Sequence, residues 1–337
     1  MLGCALLLPA CSKTTSEEAN ASAYLYFESW VTAHYPNAAR TELGSCILSE
    51  TPGSGTALGD GNDIPCVLVD YTIRDLDRNV ERTTDESLAR QVGGYDRRYH
   101  YAPQVWHRGQ NFLFAGLDDV LSRMKVGGSV TVAIPGWLFT YARYDGAKAY
   151  RENATGSDAI YEIHVHEAIP DIEQWEQDTL RRYFKRVQPD VDPDGAMTET
   201  GWYYVQKGAP TSETAFSSNQ KIYLNYTARR PDGQVFDTTE ADTAYVHGIY
   251  DPSKKYEPVF FHWNSDPEEV TMGSDESSVI EGFAKAISSM HRGEKGRCFF
   301  WSTLGYNVSG TGYTTGIGYL VPPYSPLQFD IEITTTE

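Results

Sequence analysis

The sequence predicts an α+β fold made twice, each domain an antiparallel sheet wrapped over one short helix, the two joined by an amphipathic linker helix. Three observations carry this. LVDYTIRDLDRNVERTT (68–84) and YLNYTARRPDGQVFDTT (223–239) are one strand–turn–strand unit written twice. GLDDVLSRMKVGG (116–128) and GFAKAISSMHRGE (282–294) repeat a short helix running into a glycine. No strand–helix alternation of the kind that builds parallel sheets separates these blocks, so the strands pair antiparallel. At 337 residues the chain has room for two such domains.

Taken in order, each element has a local reason. Residues 1–20 read as a signal and tether. ANASAYLYFESWVTAHYP (19–36) has helical patterning and precedes the first unit. RTELGSCILSETPGSG (40–55) and MTETGWYYVQKGAPTS (197–212) are matching turns into strands. The strand pair follows, then the helix. Phe114, Leu117, Leu121 and Met124, and in the second copy Ile280, Phe283, Ile287 and Met290, fall on one helical stripe. Asn111 is a candidate cap for the first helix, and Ser278 with Glu281 forms a capping box for the second. Strands SVTVAIP (129–135) and GRCFFWS (296–302) come next, and alternating strands AIYEIHVHE (159–167) and LQFDIEI (327–333) close each unit. Between the units, residues 170–190 form the linker helix, with Ile172, Trp175, Thr179, Tyr183 and Val187 on one face and Asp171 capping toward Gln174. The expected domains are therefore 21–169 and 191–337.

A net charge of −18 disfavours nucleic acid, whose phosphates need Lys and Arg. It equally disfavours lying flat on an anionic lipid surface. The N-terminus points elsewhere. An apolar run too short to span a bilayer ends at Leu8-Pro9-Ala10-Cys11 and gives way to a polar Ser/Thr/Glu segment. Leu-x-Ala-Cys resembles the lipobox of bacterial lipoproteins, which implies acylation of Cys11, a membrane partner through that anchor, and a place in the cell envelope. Ser12 resembles outer-membrane sorting, on the periplasmic or the surface face. Of the remaining Cys46, Cys66 and Cys298, the first two are the local pair, open to a disulfide or to two buried thiols. Asp190, Asp192 and Asp194 before Gly195 fit either the start of a Ca²⁺ loop or a solvated turn, and the twelfth position is Gly201 instead of Glu. His164 and His166 share a strand face without completing a zinc set. No dinucleotide fingerprint, phosphate loop or hydrolase motif is present, so no cofactor is expected.

Residues 221–333 carry a more specific pattern. Tyr226-Thr227, Pro231-Asp232-Gly233, Val235-Phe236-Asp237, Val279-Ile280-Glu281-Gly282, Gly293-Glu294, Tyr306, Val321-Pro322-Pro323 and Phe329-Asp330 occur in that order. In this respect the stretch resembles the FKBP-type peptidyl-prolyl cis-trans isomerases. The resemblance implies a pocket for proline-containing polypeptides. Tyr226, Asp237, Ile280 and Tyr306 would act on the bound peptide, and Phe236, Val279, Phe283, Val321 and Phe329 would line the cup. Phe283 stands where the family usually has Trp, and residues 240–277 are longer than usual. In the first copy Glu81-Arg82 replaces Phe236-Asp237 and Leu117 takes the floor position, so that domain is expected to keep the scaffold without the pocket. The expected function is isomerisation of X–Pro bonds in exported proteins. The alternative is a non-catalytic chaperone or protein-binding surface lipoprotein that keeps the cleft as a grip.

Overall fold

Two separate antiparallel sheets carry the chain, as the duplicated strand pattern predicts. A computed structural model describes residues 11–152, 156–190 and 200–336. It divides into two compact units: Met1–Val92 with Ala102–Pro170, and Gly93–Tyr101 with Asp171–Glu337. The first ten residues and the 191–199 part of the candidate Ca²⁺ turn lie outside the described residues, as does the side chain of Cys11.

In the first unit the order is α1 (Cys11–His34), β1 (Ala39–Arg40), β2 (Cys46–Thr51), β3 (Cys66–Arg74), β4 (Val80–Thr83), α2 (Glu86–Gln91), β5 (Gln104–His107), α3 (Ala115–Ser122), β6 (Ser129–Ile134), α4 (Gly146–Glu152) and β7 (Ala159–Ile169). Its sheet runs β1-β2-β6-β7-β3-β4, with β5 also on β3. The second unit has α5 (Ile172–Val187), β8 (Trp202–Gly208), β9 (Gln220–Arg229), β10 (Val235–Thr238), α6 (Ala241–His247), β11 (Val259–Trp263), β12 (Thr271–Met272), β13 (Ser277–Ser278), α7 (Glu281–Ser289), β14 (Lys295–Phe300) and β15 (Leu327–Thr336). Its sheet runs β13-β12-β11-β9-β15-β14-β8, with β10 on β9. The core path β2-β6-β7-β3-β4 of one is the path β8-β14-β15-β9-β10 of the other.

The opening repeat has a physical cause. In the first hairpin the hydroxyls of Thr72 and Thr83 meet at 2.8 Å, and the Tyr71 N–H donates to Thr84 Oγ1 at 2.9 Å. In the second, Thr227 and Thr238 meet at 2.9 Å, and the Tyr226 N–H donates to Thr239 Oγ1 at 3.0 Å. Both hairpins also bulge at the same place. Val235 faces Arg229 and Asp237 faces Ala228, leaving Phe236 as the extra residue. Val80 faces Arg74 and Arg82 faces Ile73, leaving Glu81.

The apolar stripes predicted for α3 and α7 are the faces each helix turns to its sheet. Leu117, Leu121 and Met124 are buried in one core, and Phe283, Ile287 and Met290 in the other. Gly282 is required by contact, since a Cβ there would lie 2.3 Å from Phe300 Cγ. The caps differ from expectation. Asn111 has φ +71 in the loop before α3, which starts at Ala115 with Phe114 as its cap residue. Ser278 belongs to β13, and α7 is capped by Ile280 without a side-chain bond. Asp171 does cap α5, accepting the Gln174 N–H. Cys46 and Cys66 are buried and form no disulfide with each other.

α5 belongs to the second unit, where it covers the sheet face opposite α7. Phe299 of β14 packs against Leu180, Tyr183 and Phe184, whereas Phe300 next to it points to the core beneath α7. The buried face is thus rotated from the predicted one. Leu180 and Phe184 replace Trp175 and Thr179 at the contact, and Glu176 is buried with them. The Glu176 carboxylate accepts the Ser302 N–H at 3.0 Å and the Ser302 hydroxyl.

Gly93–Tyr101 is a boundary that sequence does not signal. Within the second unit the guanidinium of Arg230, 1% exposed, donates to the carbonyls of Arg98 and Leu320 and to Gln234 Oε1. The His100 N–H donates to the Tyr319 carbonyl at 2.9 Å, and the Tyr99 and Thr314 hydroxyls meet at 2.7 Å.

Burial raises the Glu176 carboxyl above the ordinary Glu range, outweighing the two Ser302 bonds that lower it. The folded state therefore holds the proton more tightly than the unfolded one. Stability is expected to fall as pH rises from the ordinary Glu value through the raised folded value. Urea midpoints measured across that window should show this slope in the wild type and a flatter one in Glu176→Gln.

Candidate active site

One face of the second sheet, the strand-end loops and α7 bring the aromatic rings together. Phe329, from β15, sits at the centre. Its ring centroid is 4.5 Å from Phe283, 5.8 Å from Phe300, 6.0 Å from Tyr226 and 6.5 Å from Phe236. Phe283 in turn lies 5.6 Å from Tyr226 and 5.8 Å from Phe261. Phe236, Phe283, Val321 and Phe329 are buried, and Tyr226, Val279, Ile280 and Tyr306 pack half-buried against them. Phe329 stacks on Phe283 and Phe300, tilts against Tyr226 and meets Phe236 edge-on, so the rings form one apolar cluster.

The bulge at Phe236 explains how two consecutive residues serve one site. Regular alternation would send Phe236 and Asp237 to opposite faces of β10. Instead Phe236 meets Phe329, and Asp237 Oδ2 accepts the Tyr226 hydroxyl at 2.7 Å. The other Asp237 oxygen is paired with the ammonium of Lys254, from the stretch between α6 and β11. Burial, and then the Asp237 charge, push the Tyr226 phenol upward; the same two causes in the same order raise Tyr306. Both phenols consequently stay protonated at neutral pH, and that of Tyr226 donates to Asp237. Ile280, as the cap residue of α7, accepts the Phe283 and Ala284 N–H groups through its carbonyl. Its own N–H has no protein partner among the described residues. Behind the cup, the Arg230 guanidinium carbon lies 6.0 Å from the Phe236 ring. The loop carrying Tyr306 turns through Asn307 at φ +45, a conformation that Asn tolerates better than most residues.

The first unit shows what the same scaffold does without these side chains. The Tyr71 hydroxyl donates to Gln104 at 3.2 Å, and the Arg82 guanidinium lies 4.9 Å over the Tyr71 ring. A cation thus stands at the position of the Asp237 carboxylate, and exposed Glu81 at that of buried Phe236.

Residues 212–334 match the family model described as FKBP-type peptidyl-prolyl cis-trans isomerase. The second unit carries an FKBP-type isomerase domain. A macrophage infectivity potentiator from Trypanosoma cruzi is 27% identical over 163 residues, which is 47% of this chain and 67% of that protein. Among solved structures, a peptidyl-prolyl cis-trans isomerase from Pseudomonas syringae pv. tomato is 22% identical. It covers 49% of this chain and 95% of its own, with a TM-score of 0.31. The three FKBP domains of wheat FKBP73 are 15% identical over 87% of this chain and 94% of theirs, with a TM-score of 0.29.

In the FKBP-type domain all nine pocket residues predicted from the sequence fall around this one cluster. Three contributors were not anticipated. Phe300 is hidden in a run of apolar strand residues, Arg230 reads as an ordinary turn cation, and Lys254 lies in a stretch noted only for its length. Because Phe329 touches four other rings, Phe329→Ala is expected to destabilise this unit by about 3–5 kcal/mol in chemical denaturation.

Proposed function

We propose that this chain is a peptidyl-prolyl isomerase for exported proteins, tethered at Cys11 in a bacterial envelope. In this reading the second unit does the chemistry and the first serves as scaffold or interaction domain. The observation that carries the catalytic part is the convergence of Tyr226, Phe236, Phe283 and Phe329 beside the Asp237–Tyr226 bond.

Rotation about an X–Pro amide sacrifices resonance and crosses roughly 18–20 kcal/mol. It breaks no covalent bond, so no nucleophile is needed. The cup takes the prolyl ring out of water, which removes the solvent that stabilises the planar, charge-separated amide. In this reading the Ile280 N–H and the Tyr306 hydroxyl donate to peptide carbonyls on either side of the twist. The Asp237 carboxylate, fixed by Tyr226 and Lys254, faces the rotating imide at the rim. Lowering the barrier by about 7 kcal/mol corresponds to an acceleration of about 10⁵.

The Asp237–Lys254 pair also favours a second reading. A carboxylate already neutralised by its own chain suits a grip that binds proline segments without turning them. Exchange NMR on an Ala-Leu-Pro-Phe peptide separates the two readings. Wild type should give exchange far above background, Tyr306→Phe about tenfold less, and Asp237→Leu less again. Background exchange by wild type, with peptide still bound, leaves the grip. The anchor rests on Leu8-Pro9-Ala10-Cys11 and is tested separately. Cells expressing the full chain should incorporate labelled palmitate, and Cys11→Ala should abolish that and release the protein from membranes.

A further inference from the structure

The stretch between β10 and β11 holds a feature the proline cup does not use. α6 is anchored by a small core of Val235, Ala244 and Ile249 with Tyr256 packed on it. Outside that core three tyrosine rings stack in a row. Tyr245 and Tyr250 have centroids 3.9 Å apart with planes at 12°, and Tyr250 and Tyr256 are 5.1 Å apart at 14°. Tyr245 is 62% exposed and its neighbour Val246 79%. The inner end of the row meets the catalytic rim: the Lys254 ammonium lies 5.7 Å from the Tyr256 ring and is paired with Asp237.

The duplication supplies an internal control. AYVHGIYD (244–251) corresponds to ARQVGGYD (89–96). The framework is the same in both. Ala89 and Ala244 are buried, and the Tyr101 hydroxyl accepts the Asp96 N–H at 3.0 Å as the Tyr256 hydroxyl accepts the Asp251 N–H at 2.9 Å. Tyr95 and Tyr101 also stack, at 5.2 Å. The difference lies in the outward residues. Where the pocket-bearing copy exposes Tyr245 and Val246, the other has Arg90, paired with Glu86 at 2.7 Å, and Gln91. Folding of this element therefore does not need an aromatic and a β-branched residue at these exposed positions, and leaving them in water has no folding benefit. A bound partner would give them one.

Building on the isomerase reading above, we propose that Tyr245, Val246 and Tyr250 form a second grip for the same client polypeptide. It would take an aromatic side chain a few residues away from the proline in the cup. Flat, rigid tyrosine faces bind another ring with little loss of side-chain freedom. The continuity from Tyr226 through Asp237 and Lys254 to the ladder gives one extended chain a path across both.

The test uses the full chain and two peptides, an Ala-Leu-Pro-Phe core extended on each side by a six-residue arm, either Ala/Gly alone or with one Trp in each arm. Titration by NMR gives affinity and exchange gives kcat and KM. Wild type should bind the Trp peptide about 5–30-fold more tightly, with the gain in KM and little in kcat. The double variant Tyr245→Arg/Val246→Gln, which installs the residues of the other copy, should bring that ratio close to one. No Trp preference in wild type, or a preference that survives in the variant, overturns the proposal. If neither peptide exchanges above background, the isomerase reading fails, and the affinity ratio still decides the ladder.

Discussion

The second hairpin's bulge is the constraint on which the site depends. Threonine hydroxyls clasp β9 to β10 from both strands, so the register cannot slip. Within that fixed register one extra residue is accommodated between Val235 and Asp237. A slip of one position would exchange every side chain between core and solvent. The clasp prevents this, and the bulge then lets a ring and a carboxylate, adjacent in sequence, meet one cluster, Phe236 at Phe329 and Asp237 at the Tyr226 hydroxyl. The first hairpin keeps both devices and presents Glu81 and Arg82 through them. The geometry of delivery is thus independent of the chemistry delivered.

Away from that hairpin, strand β14 of the second sheet is covered on both faces. Phe299 and Phe300 are both fully buried, one beneath α5 and the other beneath α7. An antiparallel sheet with one solvated face would show polar residues at every other position. Here α5 removes that face from water, and Glu176 enters with it, tolerated because Ser302 supplies two donors. The ring at the cup's centre accordingly rests on a layer that has packing behind it as well as beside it.

Much of this was legible in the sequence, for identifiable reasons. The stripes of α3 and α7 were readable because a helix lying on a sheet buries one narrow row, and spacing reports that row directly. The residues that gather around Phe329 were readable because their order along a whole domain is specific. What spacing could not report was burial of charge. Glu176 and Arg230 look like solvated residues until their distant partners Ser302, Leu320 and Arg98 are seen, and exposed Lys254 gives no sign in the sequence of its pairing with Asp237. The face of α5 was misread for this reason, since hydrophobic periodicity discounts a buried carboxylate and so favours Trp175. The cap predicted for α7 failed differently: Ser278 was drawn into a short strand pair with β12, and the helix start fell to an apolar residue, Ile280, whose backbone, not its side chain, has the role.

The two-segment make-up of the second unit bears on how it is synthesised. Tyr99 and Thr314, which meet through their hydroxyls, are 215 residues apart in sequence. A ribosome releases the earlier partner long before the later one exists, and domains generally fold as they emerge, N-terminal parts first. The first sheet is complete by Ile169, yet Gly93–Tyr101 must wait for a loop near the C-terminus before the carbonyls of Arg98 and Tyr99 meet Arg230. Closing so long a loop is slow by its topology. The chain would therefore carry a late, long-range step in its own folding.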